Sequence, residues 1–372
     1  MTTSCHRLAR GDGRMTIDDQ SIDAEPVPRA EKSRAADFLW LGGIAFAFVF
    51  TFLIWIFGPL LDRFVLGPDQ GPAWYYWQLP TPDTVAQFIV WSFYLVHQFV
   101  VWFTIYWAQR NLITQKTKPT TSLTKYNWAM VVINVFFVSL HLIQTQIWFD
   151  GLAQDVPIWT SQGSVIVMLV LILVIENPRR GFFLGKRAGK PFTARVSGLV
   201  RRIHMYPISW ALVYTFWFHP MFYDPQLLTG FFYMFLLFTQ MMVAYTSVHI
   251  DKRWVITVEG FVGVHALVVA VFNTLDHGST DMWAMFLSGF VFMWVFTYMY
   301  ALNVKKKVKV LVTILYFAFL AWIYIPAPLG FGRDISYLLR LEMLWIPIIL
   351  YLLAAVIAGM GFVYLKATRK EA

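Results

Sequence analysis

Phe38–Gly58 reads FLWLGGIAFAFVFTFLIWIFG, a run with no ionisable side chain. A helix rises about 1.5 Å per residue, so a run of this length spans about 30 Å, the thickness of a bilayer's hydrocarbon core. Runs of similar length without Lys or Arg follow near 84–108, 126–148, 157–175, 204–222, 226–246, 254–273, 282–302, 310–327 and 341–364. The chain is 58% hydrophobic and 14% charged, whereas a soluble domain carries roughly a quarter charged residues. The expected fold is all-α: a polytopic membrane protein of about ten transmembrane helices.

The basic residues orient that bundle. Arg63, Arg333 and Arg340 fall in one set of alternate loops; the other 27 of the 30 Lys and Arg fall in the opposite set and the tails. By the positive-inside rule both termini are expected in the cytoplasm, with 176–203 as a basic cytoplasmic loop. Residues 1–36, polar and poor in aromatics, read as a disordered cytoplasmic tail. Residues 37–366 form the membrane domain and 367–372 a second short tail. The expected location is a bacterial-type inner membrane. The net charge of +9 follows from this topology and gives no nucleic-acid signature, so the expected partner is the lipid bilayer. The one cysteine, Cys5, lies in the tail, which removes disulfides and thiolate chemistry from the membrane domain. No phosphate loop, nucleophile elbow or zinc-protease motif is present.

Chemistry must then come from ionisable residues inside the spans, which are costly in lipid and functional by default. They are His97, His141, His219, His265 and Glu259, with Glu342 at a helix end. His219 stands out in Tyr214–Asp224, YTFWFHPMFYD, where Pro220 stops the helix behind it. Counting depth along alternating helices brings His141, His219, His265 and Glu342 into the outer half of the membrane. His97 and Glu259 lie deeper. Pro347 is expected to bend the last span close to Glu342. His265 and Glu259 are six residues apart and cannot share a helix face.

Each position also has a plain structural explanation. His219 suits an interfacial cap among Trp217, Phe218 and Tyr223. His97 suits a helix–helix hydrogen bond, and His141 and His265 suit packing. His204 and His249, beside basic residues at the cytoplasmic boundary, read as ordinary interfacial residues. The aromatic run of the sixth span reads as lipid-facing bulk.

The functional expectation is a membrane-embedded enzyme with a histidine-rich site in the outer leaflet half, acting on a hydrophobic lipid- or isoprenoid-like substrate. His219, His265, Glu342 and Glu259 are the acid–base candidates. His141, His219, His265 and His97 are the metal or haem candidates, a metal- or haem-dependent oxidoreductase being one form of this reading. The sequence does not name a cofactor; haem b and a non-haem metal both suit imidazole ligands. Two alternatives stay open. One is a proton-coupled transporter or channel that relays protons through intramembrane His and Glu. The other is a structural or assembly subunit of a membrane complex.

Overall fold

The computed structural model describes residues 33–68, 75, 77–112, 119–187, 190–277 and 281–368. Most of the expected N-terminal tail (1–32) and the last four residues lie outside them. Among the described residues the chain is helical, with isolated bridges but no strand. In order, the helices are α1 (Ala35–Phe57), α2 (Thr84–Asn111), α3 (Lys125–Trp148), α4 (Ile158–Arg180), α5 (Lys190–Ile203) and α6 (Met205–Phe218). They continue with α7 (Pro225–Met242), α8 (Lys252–His277), α9 (Trp283–Phe296), α10 (Lys306–Tyr324), the short α11 (Ile335–Leu339) and α12 (Trp345–Ala367). Among the described residues, eight segments are long and apolar enough to cross a membrane: α1, α2, α3, α4, α8, α9 with the turn that continues it to Ala301, α10 and α12. The chain is therefore an integral, multi-pass type of protein.

Local chemistry fixes the helix ends. The Asp83 carboxylate caps α2 by accepting from the Val85 and Ala86 amides. Thr124 and Asn127 form a capping box on α3. Asp224 caps α7, with Pro225 at the first helical position, where its missing N–H is not needed. Asn127 also donates to the carbonyls of Met242 and Ala244, tying the start of α3 to the end of α7.

The interior is built around α6 and α7, of 14 and 18 residues. Phe216, Trp217, Phe218, Phe231, Phe235 and Phe238 are fully buried. The FFYMFLLFTQMM run of α7 is thus core and not lipid-facing bulk, because α1, α3, α6 and α8 all pack around it. Such aromatic faces interlock edge to face, as Phe46 does against Phe235 at 5.4 Å.

Two sequence expectations change at the polar ends. Loop 176–203 is largely helical: α4 runs on through Arg180, and α5 packs on α4 and α12. Arg180 therefore belongs to a membrane-length helix, although its apolar run stops at Ile175. Pro347 lies in the first turn of α12, where the amides have no intrahelical partner, so it stands at the start of the helix and not in its interior.

The helix ends that carry most Lys and Arg share one face, termed here the basic face. It brings together the ends of α4, α7 and α9 and the starts of α6, α8 and α10. Arg179 donates to the Ile250 carbonyl there, and the Leu184 amide to Phe296. The segments 58–68, 149–157, 219–224 and 325–344 lie at the opposite face.

Candidate functional site

At the opposite face and in the core, the structure gives each sequence candidate a protein partner. His219 ends α6, and its Nδ1 lies 2.6 Å from the buried Tyr75 hydroxyl. His141 has an oxygen acceptor beside each ring nitrogen. Nε2 donates to the His219 carbonyl at 2.9 Å, and Nδ1 lies 2.9 Å from Gln144 Oε1. Gln144 in turn donates to the Asp150 carbonyl. His97 accepts from Trp217 Nε1 at 3.1 Å and stacks on Phe137, a bond between helices. His265 Nδ1 lies 3.2 Å from Thr229 Oγ1 on α7, and its ring fills the space over Gly230.

The two carboxylates are held in ion pairs. Glu342 takes a two-pronged bond from Arg333, one prong at 2.8 Å, and accepts from Tyr324 at 3.0 Å. Arg333 also reaches the Asp281 carboxylate at 2.6 Å. Glu259 takes a similar fork from Arg180, one prong at 2.7 Å, with both side chains buried. The Tyr298 ring covers that guanidinium at 4.7 Å. His141 and His219 do come together, through a backbone carbonyl; Glu342 and Glu259 are drawn into separate ion pairs at opposite ends of the bundle. Among the described residues, no three of His, Cys, Asp and Glu converge as a metal ion requires.

A different constellation forms at the basic face. The ends of α4, α6, α7 and α8 line a half-open cavity of about 960 Å³, at the upper end of the usual size for small-molecule sites. Its depth is apolar, walled by Met168, Ile172, Ile208, Leu212, Leu237 and Val258. Its mouth is charged, with Arg179, Arg201, Lys252 and Arg253 beside Glu176 and Asp251. Arg179 to Met168 is three turns of α4, about 16 Å of depth.

His204 and His249 both line this cavity, their ring centroids 6.5 Å apart. His204 Nδ1 lies 2.7 Å from the Arg201 carbonyl. His249 Nδ1 lies 3.0 Å from the Gln240 carbonyl, and the Gln240 side chain donates back to the His249 carbonyl. Trp254 Nε1 donates to Gln240 Oε1 and completes the clamp. A carbonyl only accepts, so each Nδ1 carries the proton and each neutral ring keeps its lone pair on Nε2. Burial, and then the neighbouring His204, depress His249 to about 4, against the opposing bond to Gln240. At neutral pH it is an uncharged base.

Sequence reasoning passed over this pair because each histidine, taken alone, sits where interfacial residues are common. The usable signal was that both lie on the basic side, each within four residues of an arginine. What joins them is the packing of α6 beside α7 and the turn 243–251. No protein-family model, curated protein or solved structure matches this chain.

Proposed function

We propose that the protein is a membrane-embedded enzyme that draws an amphipathic lipid- or isoprenoid-like molecule into the basic-face cavity, tail inward. His204 and His249 then serve as the acid–base pair at its head. The carrying observation is that one cavity unites a deep apolar wall with two imidazoles whose Nε2 lone pairs are uncommitted. Neutral imidazole is the usual general base near pH 7. Relative to the outer-half expectation, the chemistry moves to the other end of the bundle, while substrate class and residue type stay the same. His141, His219 and His265 become hydrogen-bonding supports of the core, and Glu259 the anchor of Arg180.

In the same reading the basic face is cytoplasmic, on the weight of its Lys and Arg. Both termini are then inside. Counting α6 and α7 with the eight membrane-length segments makes ten crossings, in a bacterial-type inner membrane. The substrate enters from the cytoplasmic leaflet.

The test is extraction of the protein in polymer-bounded native membrane discs, with mass spectrometry of the lipids retained. One lipid or isoprenoid class should be enriched over the bulk membrane. Ile208→Trp, which puts an indole into the cavity wall, should abolish that enrichment. Lipids at bulk proportions, or an enrichment that Ile208→Trp leaves intact, overturn the proposal.

A further inference from the structure

The cavity mouth has a charge pattern that the tail-binding argument does not use. Arg179, Arg201, Lys252 and Arg253 face Glu176 and Asp251, so cations exceed anions by two. Glu259 also borders the cavity, but Arg180 already neutralises it. Asp251 is committed as well, its carboxylate accepting from the amides of Arg253 and Trp254 at the start of α8.

The two arginines are fixed in place. Arg179 Nη2 donates to the Ile250 carbonyl at 3.1 Å, and Arg201 Nη2 donates to the Ile175 carbonyl at 2.9 Å. A guanidinium has five N–H donors; Arg201 spends one of them on its carbonyl bond, and Arg179 spends one on its carbonyl bond and one on Glu176, so both keep donors to spare. Arg179 comes from α4 and Arg201 from α5, so the forks belong to different elements. Glu176 engages Arg179 only weakly, at 3.3 Å on one nitrogen.

We infer that the mouth binds a phosphate or diphosphate group, with Arg179 and Arg201 as its principal ligands and Lys252 and Arg253 as supporting charge. This rests on the amphipathic-substrate reading and names the head group. Planar guanidinium forks match the oxygens of phosphate. A carboxylate brings one negative charge, whereas a phosphate monoester brings about 1.5 to 2 and so matches the excess of two cations. His204 and His249 stand beside that group, where an uncharged Nε2 accepts a proton from a protonated phosphate oxygen or from a hydroxyl next to it.

The experiment is a binding titration by thermal shift on the full chain in a non-ionic detergent. The probes are geranylgeranyl diphosphate, geranylgeraniol and inorganic pyrophosphate. The diphosphate ester should bind at least about tenfold more tightly than the alcohol, since hydrogen bonds to charged groups are the strong ones. Arg179→Gln and Arg201→Gln should each remove most of that advantage and leave the alcohol unaffected. Arg202→Gln, on α5 but outside the cavity lining, is the control and should change nothing.

Equal binding of ester and alcohol, both lost in Ile208→Trp, overturns the phosphate assignment and leaves the cavity reading standing. Pyrophosphate binding as tightly as the ester, unaffected by Ile208→Trp, supports the phosphate ligands and overturns the tailed substrate. Binding of none of the three overturns both. If Arg179→Gln fails to fold, Arg201→Gln alone carries the test, since Arg201 is exposed on α5.

Discussion

His204 and His249 face one another at a ring-centroid distance of 6.5 Å, each pinned through Nδ1 to a backbone carbonyl. The carbonyls belong to Arg201 and Gln240, so the pair exists only because the start of α6 and the end of α7 meet at the same face.

The pinning makes a pH prediction. His249 titrates at about 4 in the folded protein, below the value near 6.5 of a free imidazole. Between those values the unfolded chain binds the proton first, so stability falls as pH drops from about 6.5 towards 4 and is level above. His249→Gln removes this slope. The melting-temperature advantage of wild type over the variant should therefore shrink steadily from pH 7 to pH 4.5. A constant gap across that range would mean that His249 titrates as a free side chain.

Asp150 has the opposite sign. Its Oδ1 accepts from the Gly151 amide, Oδ2 is buried without a partner, and burial raises its carboxyl to about 7, with Asp155 and Asp83 adding to the rise. The folded chain keeps a proton that the unfolded chain releases between about pH 4 and 7, so stability falls as pH rises through that window. Asp150→Asn keeps the amide acceptor and removes the charge. It should melt higher than wild type at pH 8 and show little difference at pH 4; an equal shift at both would sink the argument.

Arg180 and Glu259, with side chains 0% and 3% exposed, form a buried pair that one-sided substitution leaves uncompensated. Arg180→Met should cost about 3–5 kcal/mol in denaturant unfolding. Adding Glu259→Leu should restore most of the loss, because a buried pair replaced whole by apolar residues is nearly neutral. If the second change restores nothing, the charge left behind was not the cause. Glu259→Gln should therefore act on stability and leave any proton-coupled activity of the protein unchanged.

The contact of α1 with α7 is tested by adjacent glycines. A Cβ on Gly43 would overlap the Thr239 side chain, whereas one on Gly42 meets nothing within 4 Å. Gly43→Val should destabilise the protein by about 1–3 kcal/mol, the usual cost of overpacking, and Gly42→Val by much less. Similar losses at both positions would show that helix propensity, not the α1–α7 contact, sets the effect.

Much of the membrane architecture was legible along the chain. Apolar runs such as Phe38–Gly58 report the solvent in which a helix sits, since hydrocarbon offers the backbone no alternative partner. Pro220 marked the end of α6 at His219, and the six-residue spacing separated His265 from Glu259, which contact Thr229 and Arg180 respectively. The burial of α7 was not legible, because an all-apolar helix looks the same facing lipid or facing other helices. Nor was the role of Arg180: a charge beside Pro178 reads as a loop until a carboxylate from α8 pairs with it inside.

The sequence by itself determined that the chain is a bundle of apolar helices with one strongly basic face, since hydropathy and charge are additive along a chain. Only the tertiary structure decided which histidines share a site. Depth along each helix placed His141, His219, His265 and Glu342 together, yet local partners took up each of them. The cavity pair arose from the lateral order of α4, α6, α7 and α8. That order is set by side-chain packing between helices, which no single segment encodes.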